Sequence, residues 1–325
     1  MAASRKSSKK ASMKISLPLW IIIILLLLGT GYAAGIEAGY IDEPAVIASE
    51  ENNVTPNKAD IEVHYIDVGQ GDCELILAGD TSVLIDAGET EYGEKVTEYL
   101  SSLNIKKLDY VIATHPHSDH IGGLPNVINS FEIGKILMPK ITGDMTPTSK
   151  SYENLLNAIK SKGLKATAAK AGLKYTLPVS DEKNAVIEFV APVKESYDSL
   201  NNYSAVIRLV YGGTSFLFTG DAENEAEKDI LADGADISAD ILKVGHHGSS
   251  SSSSKAFLEA VKPKLCIISV GAGNSYNHPN AKTIERLNIF TKQIYRTDLN
   301  GTVIVYSDGK AFTTKAERGT DNADS

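Results

Sequence analysis

The stretch Thr114-His-Pro-His-Ser-Asp-His-Ile-Gly-Gly123 places four metal-ligand residues within six positions: His115, His117, Asp119 and His120. Imidazole nitrogens and carboxylate oxygens are the ligands that zinc prefers, and manganese accepts them at looser sites. The His-x-His spacing directs two rings toward a first ion, while Asp119 and His120 face a second. A histidine-rich loop without a metal is the alternative, but four suitable ligands rarely coincide at this spacing by chance. We therefore predict a two-metal site.

Polar residues also follow three other apolar runs, each of which indicates a strand. Val83-Leu-Ile-Asp86 ends in an aspartate, and Ser215-Phe-Leu-Phe-Thr-Gly-Asp221 ends in a second one. The run Asp240-Ile-Leu-Lys-Val-Gly leads into the pair His246-His247. Because each of these residues lies at a strand end or in the loop after it, we expect them to converge on one edge of a sheet.

Together these segments resemble the metallo-β-lactamase superfamily, whose second motif is His-x-His-x-Asp-His. The resemblance implies that Asp86 orients a ligating histidine and that Asp221 bridges both ions. It also implies that either His246 or His247 completes the second ion, and the sequence leaves that choice open. The reaction implied is hydrolysis by a metal-bound hydroxide, with Asp221 orienting this nucleophile. Asp119 is then either a ligand or a general base.

Further segments narrow the resemblance to the hydrolase domain of ComEC-like competence proteins and their free-standing relatives. They are Asp67-Val-Gly-Gln-Gly-Asp72, Asn201-Asn-Tyr-Ser204, the His-His-Gly-Ser string and Asn274-Ser-Tyr-Asn-His-Pro279. The resemblance implies that Asp72 lines the site, although a turn-forming role explains this aspartate equally well. It also implies that His278 contacts the substrate or donates a proton. Four other side chains are expected beside the site or the substrate: Asn202, Ser204, Asn274 and Tyr276.

One departure from the superfamily pattern concerns its third-motif histidine. The seven histidines are residues 64, 115, 117, 120, 246, 247 and 278, so none lies between 121 and 245. The first ion is left with His115, His117, Asp221 and water. We therefore expect two divalent ions, with Zn²⁺ favoured and Mn²⁺ accepted at an open first site. Histidine at position 204, or alternatively at 202, is expected to raise the zinc affinity of the first site.

The composition predicts four segments. Residues 1–35 combine five basic residues before position 15 with an apolar run, which is typical of a signal peptide or a signal anchor. This predicts contact with the membrane and a catalytic domain that is extracellular, either anchored or secreted. Residues 36–60 are predicted to be a linker, 61–315 the hydrolase domain and 316–325 an acidic tail. The sequence does not indicate an oligomeric state.

The apolar periodicity predicts an α/β fold of the αββα sandwich type within residues 61–315. Strands are predicted at 61–68, 73–77 and 82–86, and helices at 92–103, 124–131, 152–162, 222–231 and 255–261. Ser249 is predicted to cap the last of these helices. Cys73 and Cys266 are predicted to be buried free thiols rather than a disulfide.

The charge bears on the substrate. Residues 15–325 contain 27 Lys and Arg against 41 Asp and Glu, a net charge of −14 that repels a polyanion in bulk. Residues 135–183 contain nine lysines and four acidic residues, a local +5 that either flanks a phosphate or forms a solvated face. The family resemblance favours a phosphodiester, in nucleic acid or in a wall polymer. A hydrolase of another ester or lactone, or an inactive metal-containing surface binding module, is the alternative.

Overall fold

The structure is a computed structural model, and it describes residues 59–319. The predicted membrane segment at 1–35, nearly all of the linker and the end of the acidic tail lie outside these residues. Within residues 59–319, no helix has both the length and the apolar character that a membrane crossing requires.

The described chain contains fifteen strands. They are β1 (Ile61–Tyr65), β2 (Glu74–Ala78), β3 (Thr81–Ile85), β4 (Lys107–Ile112), β5 (Glu132–Pro139), β6 (Ala166–Ala169), β7 (Lys174–Pro178), β8 (Asn184–Phe189), β9 (Ile207–Tyr211), β10 (Thr214–Phe218), β11 (Ile241–Lys243), β12 (Leu265–Ile268), β13 (Ile294–Arg296), β14 (Val303–Ser307) and β15 (Phe312–Ala316).

Eight α-helices lie between these strands in the described range. They are α1 (Gly93–Ser102), α2 (Ser118–Ile121), α3 (Leu124–Ser130), α4 (Lys150–Ser161), α5 (Asn224–Asp233), α6 (Lys255–Val261), α7 (Ala281–Phe290) and α8 (Thr297–Asn300). Short 3₁₀ turns occupy Thr90–Tyr92, Gly143–Met145, Leu200–Tyr203 and Gly245–Gly248.

The strands form two sheets that pack face to face. One sheet has the order β15-β14-β1-β2-β3-β4-β5-β6, and the other has the order β13-β12-β11-β10-β9-β8-β7. Inward-facing side chains of both sheets, such as Val63, Phe189 and Phe216, share one buried core. The outer face of the first sheet is covered by α1, α3 and α4, and that of the second by α5, α6 and α7. The predicted αββα sandwich is therefore confirmed.

Most of the predicted elements form within a few residues of the expected bounds, and two features of the C-terminal half differ. Helix α6 begins at Lys255 with Ser254 as its cap, whose hydroxyl accepts the Phe257 N–H, so the prediction of Ser249 as the cap was wrong. Helix α7 was not predicted, although the Asn280 side chain caps it by accepting the Lys282 N–H. Cys73 and Cys266 are buried free thiols, as predicted.

The strand directions determine where the polar segments meet. Strands β3 and β4 are parallel in the first sheet, and β10, β11 and β12 are mutually parallel in the second. Parallel strands bring their carboxyl ends to one edge of a sheet, and ligands in α/β folds bind at such edges. The residues that follow these five strands form the site described next.

Candidate metal centre

Asp221 lies at the centre of the site, and its two carboxylate oxygens face different sets of side chains. The carboxylate is buried, and the turn after β10 carries it between the two sheets. The Ser204 hydroxyl accepts the Asp221 N–H at 3.0 Å and so holds this turn in place. The oxygens of Asp221 divide the site into two sides.

The Oδ1 side, which we call the second-ion side, is formed by Asp119, His120 and His247. His120 Nε2 lies 3.3 Å from Asp221 Oδ1, and His247 Nε2 lies 3.5 Å from the same oxygen. His247 Nε2 is also 3.2 Å from Asp119 Oδ2. These three residues and Asp221 each offer one ligand atom, and the four atoms lie within 4.8 Å of one another.

The Oδ2 side, which we call the first-ion side, contains His115 and His117. His115 Nε2 lies 3.7 Å from Asp221 Oδ2 and 3.0 Å from His117 Nδ1. Ligand atoms of these two histidines and Asp221 also group within 4.8 Å. His246 is partly exposed and approaches this side, with its Nε2 3.6 Å from Asp221 Oδ2. The structure thus brings the two ligand sets together around one carboxylate.

The donor atoms at the centre fit divalent ions. His120 Nε2 and Asp221 Oδ1 are buried, and neither has a hydrogen-bond partner within the described part of the chain. Buried polar atoms are almost always paired, so two unpaired atoms that face each other indicate a ligand between them. Nitrogen and carboxylate oxygen in this number suit zinc or a similar ion.

Burial and neighbouring charges together shift the pKa values of the ligand residues. Burial lowers the pKa of His115 well below its usual range, and the neighbouring His120 lowers it further, so His115 is neutral and ready to bind an ion. Burial also opposes protonation of His247, but Asp221 and Asp72 outweigh it and raise the pKa of His247 to about 10. Although burial alone would raise the pKa of Asp221, His120 and His247 hold it well below its usual range.

Supporting groups fix the second-ion histidines. Asp86 Oδ2 lies 2.7 Å from His120 Nδ1 and accepts the Thr114 hydroxyl at 2.6 Å, while Oδ1 accepts the Thr114 N–H at 2.8 Å. Behind His247, the carbonyl oxygen of Ser269 lies 2.9 Å from Nδ1. Such contacts orient a metal-binding histidine and set which nitrogen carries the proton.

A buried lysine under the site was missed by the sequence reasoning. Lys243 is fully buried on β11, and its ammonium donates to Asp72 Oδ2, while Asp72 Oδ1 lies 3.3 Å from His247 Nδ1. The loop that carries Asp72 packs against the ligand loop, since a Cβ at Gly71 would lie 2.3 Å from the Asp119 carbonyl oxygen. The signal available in the sequence was a lysine inside an apolar strand.

The polar residues near the absent third-motif histidine have distinct contacts. The Asn202 side chain accepts the Glu223 N–H at 3.1 Å and donates to Glu225 at 3.3 Å, so it caps α5. The Ser204 hydroxyl accepts a hydrogen bond from the Asp221 N–H. Asn201 lines the cleft, and its buried Oδ1 has no partner among the described residues. Asn201, rather than Asn202 or Ser204, is therefore the member of this group that faces the site.

A cleft of about 660 Å³ opens over the centre. Tyr276 is 66% exposed at its rim and stacks on His278, with ring centroids 5.8 Å apart. Burial, together with His246 and His247, lowers the pKa of His278 to about 4, so this ring is neutral at pH 7. Asn274 bonds within its own loop, accepting the His278 N–H at 3.0 Å and donating to the His278 carbonyl oxygen at 2.6 Å.

The cleft lining carries no lysine or arginine among the residues that the structure describes. The lysines of residues 135–183 lie elsewhere: Lys174 pairs with Glu188 at 2.8 Å, and Lys183 pairs with Asp60 at 2.9 Å. The lining instead contains hydroxyls and amides, including Ser118, Ser149 and Gln70.

Comparison with known proteins identifies relatives by sequence. Residues 66–271 match the family model of the metallo-β-lactamase superfamily. The chain is 34% identical over 260 residues to ComE operon protein 3 of Bacillus subtilis, an alignment that covers 74% of this chain and 32% of that protein. It is 28% identical over 287 residues to competence protein ComA of Neisseria gonorrhoeae, with 86% and 36% covered. The resemblance to ComEC-like competence proteins is confirmed, and the chain spans about a third of these relatives.

Among solved structures, the metallo-β-lactamase fold protein YhfI from Bacillus subtilis has a TM-score of 0.47 and 13% identity. The alignment covers 78% of this chain and 100% of that one.

Proposed function

This chain belongs to the metallo-β-lactamase superfamily and has its hydrolase fold, and we propose that it hydrolyses phosphodiesters with two bound divalent ions. The observation that carries the proposal is the division of the ligands around Asp221, with one set at each carboxylate oxygen. A carboxylate that faces two ligand sets can bridge two ions, and paired ions stabilise both the attacking and the leaving oxygen of a phosphodiester. The relatives include a competence protein and a recombination protein, and these names support nucleic acid as the polymer.

Bound ions would lower the pKa of a coordinated water and polarise the phosphodiester. The residues of the chain then have separate roles. Asp221 holds the two ligand sets together and, as a carboxylate, can orient the nucleophile. His278 is neutral at pH 7 and can donate an N–H hydrogen bond to a phosphate oxygen at the rim. Tyr276 offers an exposed ring on which a base can stack.

We propose zinc as the ion of the second-ion side because two imidazoles and two carboxylates meet there. Manganese remains the expected substitute on the first-ion side if only two imidazoles serve it. Because no lysine or arginine of the described chain lines the cleft, bound ions would supply the positive charge that a phosphate requires there. Activity should therefore depend fully on metal.

Hydrolysis of bis-p-nitrophenyl phosphate in zinc and in manganese tests the proposal. Asp119→Ala and His120→Ala each remove a ligand of the second-ion side, so turnover should fall by at least about 100-fold. Circular dichroism should show that both variants remain folded. A metal-loaded protein that is inert toward phosphodiesters, lactones and β-lactams would instead support the surface binding module. Cleavage of lactones alone would identify another ester class.

The location is also a proposal. Basic residues before the apolar run keep the N-terminus on the cytoplasmic side, so residues 36–325 should be outside the membrane. Protease added to intact spheroplasts should then digest the catalytic domain, with a cytoplasmic protein as the control. Complete protection would contradict this orientation, and release of a shortened form into the medium would indicate a cleaved signal peptide.

A further inference from the structure

A third imidazole, His246, lies beside the first-ion side, just outside the group formed by His115, His117 and Asp221, even though residues 121–245 contain no histidine. His246 Nε2 lies 3.6 Å from Asp221 Oδ2, and His115 Nε2 lies 3.7 Å from that same oxygen. His247 faces Asp221 Oδ1 instead, at 3.5 Å. Two consecutive histidines thus approach opposite oxygens of one carboxylate.

The backbone at this pair explains how neighbouring side chains reach both sides. His246 has φ 50° and ψ 49°, and His247 has φ 53° and ψ 25°, so both lie in the left-handed region. This region is uncommon for residues other than glycine, and it persists where the surrounding structure holds it. The His246 N–H donates to the Gly220 carbonyl oxygen at 3.0 Å. The centroids of the two rings lie 6.0 Å apart, and the ring planes meet at 71°. The rings therefore point in different directions, one toward each oxygen of Asp221.

The other ring nitrogen of His246 faces a supported carboxylate. His246 Nδ1 lies 3.5 Å from Glu223 Oε1 and also 3.5 Å from the Ser251 hydroxyl oxygen, which is its hydrogen-bond partner. Glu223 is itself held by the Ser251 hydroxyl, which donates to Oε1 at 2.8 Å, and by the Ser199 hydroxyl, which donates to Oε2 at 3.2 Å. A carboxylate behind an imidazole orients the ring so that its second nitrogen faces an ion; Asp86 contacts His120 directly for this, whereas Glu223 contacts His246 together with the Ser251 hydroxyl.

His278 provides the contrast. Its ring lies 5.4 Å from the ring of His246 at the same rim, but no carboxylate of residues 59–319 is within ion-pair distance of it. Its Nδ1 is buried without a partner among those residues. His246 thus has both a carboxylate to orient it and an Asp221 oxygen to share with His115, and His278 has neither.

We propose that His246 supplies the third imidazole ligand of the first ion, with Glu223 orienting its ring. His246 would take the place of the third-motif histidine, so that each member of the His246-His247 pair serves one ion. The inference rests on the proposed two-metal function. It predicts a first site as complete as the second, rather than the open site that prefers manganese.

Zinc stoichiometry of the full chain tests this assignment without recourse to activity. After equilibration with a zinc-buffering chelator, elemental analysis should find two zinc ions per wild-type chain and one in His246→Ala. His278→Ala is the matched control and should retain two. The double variant H115A/H246A should still hold one ion because both changes affect the same site, whereas H246A/H247A should hold none.

Glu223→Gln keeps the imidazole and tests the orienting role if His246→Ala does not fold. This substitution should lower the affinity for one of the two zinc ions by about 10 to 100-fold and leave the affinity for the other unchanged. Two zinc ions bound at wild-type affinity in both His246→Ala and Glu223→Gln would overturn the inference. Loss of both ions in H115A/H246A would also overturn it, since His246 would then serve the second ion. A wild-type chain that binds neither zinc nor manganese would refute the proposed function itself.

Discussion

At the scale of single residues, Asp86 shows how the site depends on groups that touch no ion. One carboxylate oxygen accepts the Thr114 N–H, and the other faces both His120 Nδ1 and the Thr114 hydroxyl. Every contact places a donor against an oxygen, so the site requires two acceptor oxygens. Asparagine supplies only one and would turn an NH₂ group toward a donor.

We therefore predict that Asp86→Asn lowers the zinc affinity of the second-ion side by about 10 to 100-fold, because His120 loses the group that orients it. Competition with a fluorescent chelator measures this affinity directly. Asp67→Asn is the matched control: Asp67 accepts the Gly69 N–H in a turn and should not affect zinc binding. Unchanged zinc affinity in Asp86→Asn would show that packing alone holds His120.

At the scale of elements, the Lys243–Asp72 pair connects the two sheets beneath the site. Lys243 lies on β11 of the second sheet, and Asp72 lies in the loop that joins β1 to β2 of the first. Their side chains are 0% and 1% exposed. A buried pair of this kind is costly to break, because the remaining charge is left without water or a partner.

Lys243→Met should lower the free energy of unfolding by about 3 to 5 kcal/mol, since the Asp72 carboxylate stays buried and loses its ammonium partner. Urea denaturation measures the change. Lys264→Met is the control: Lys264 is 70% exposed and pairs with Asp240 at 2.8 Å, and such surface pairs contribute only about 0 to 1 kcal/mol. A loss for Lys243→Met no larger than for the control would mean that Asp72 becomes neutral or hydrated.

At the scale of the whole molecule, the ions are expected to stabilise the fold as well as to serve the reaction. Asp72, Asp86 and Asp221 are buried close together with Asp119 beside them; Asp72 opposes ionisation of Asp86 and Asp221 opposes that of Asp119, and a bound cation would relieve this repulsion. The ligands come from segments that follow strands of both sheets, so an ion bound there joins the two halves of the sandwich.

Removal of metal by a chelator should therefore lower the melting temperature. An ion present at 100 times its Kd stabilises the folded state by about 2.7 kcal/mol. For a domain of this size, that stabilisation raises the melting temperature by about 5 °C or more per ion. Differential scanning calorimetry with and without chelator measures the shift. The H246A/H247A variant should show no shift, and an equal shift there would indicate an effect of the chelator unrelated to this site.

The sequence by itself determined the ligand types and the sandwich fold. The spacing in residues 114–123 indicates metal binding because imidazole and carboxylate groups are concentrated there. The apolar runs ending at Asp86 and Asp221 predict strands that deliver polar residues to one edge, and the structure has strands there. These features are local, since they depend on side-chain chemistry and on hydrophobic periodicity within one segment.

Only the tertiary structure decided how the remaining residues are used. Lys243 appears in the sequence as a single charge in a short strand, and its partner Asp72 is 171 residues away. The directions in which His246 and His247 point depend on two consecutive left-handed residues, and Asn201 lines the cleft while its neighbours Asn202 and Ser204 bond to other segments. Contacts between distant segments and backbone conformations imposed by packing leave no periodic signal in the chain, and only the assembled sheets determine them.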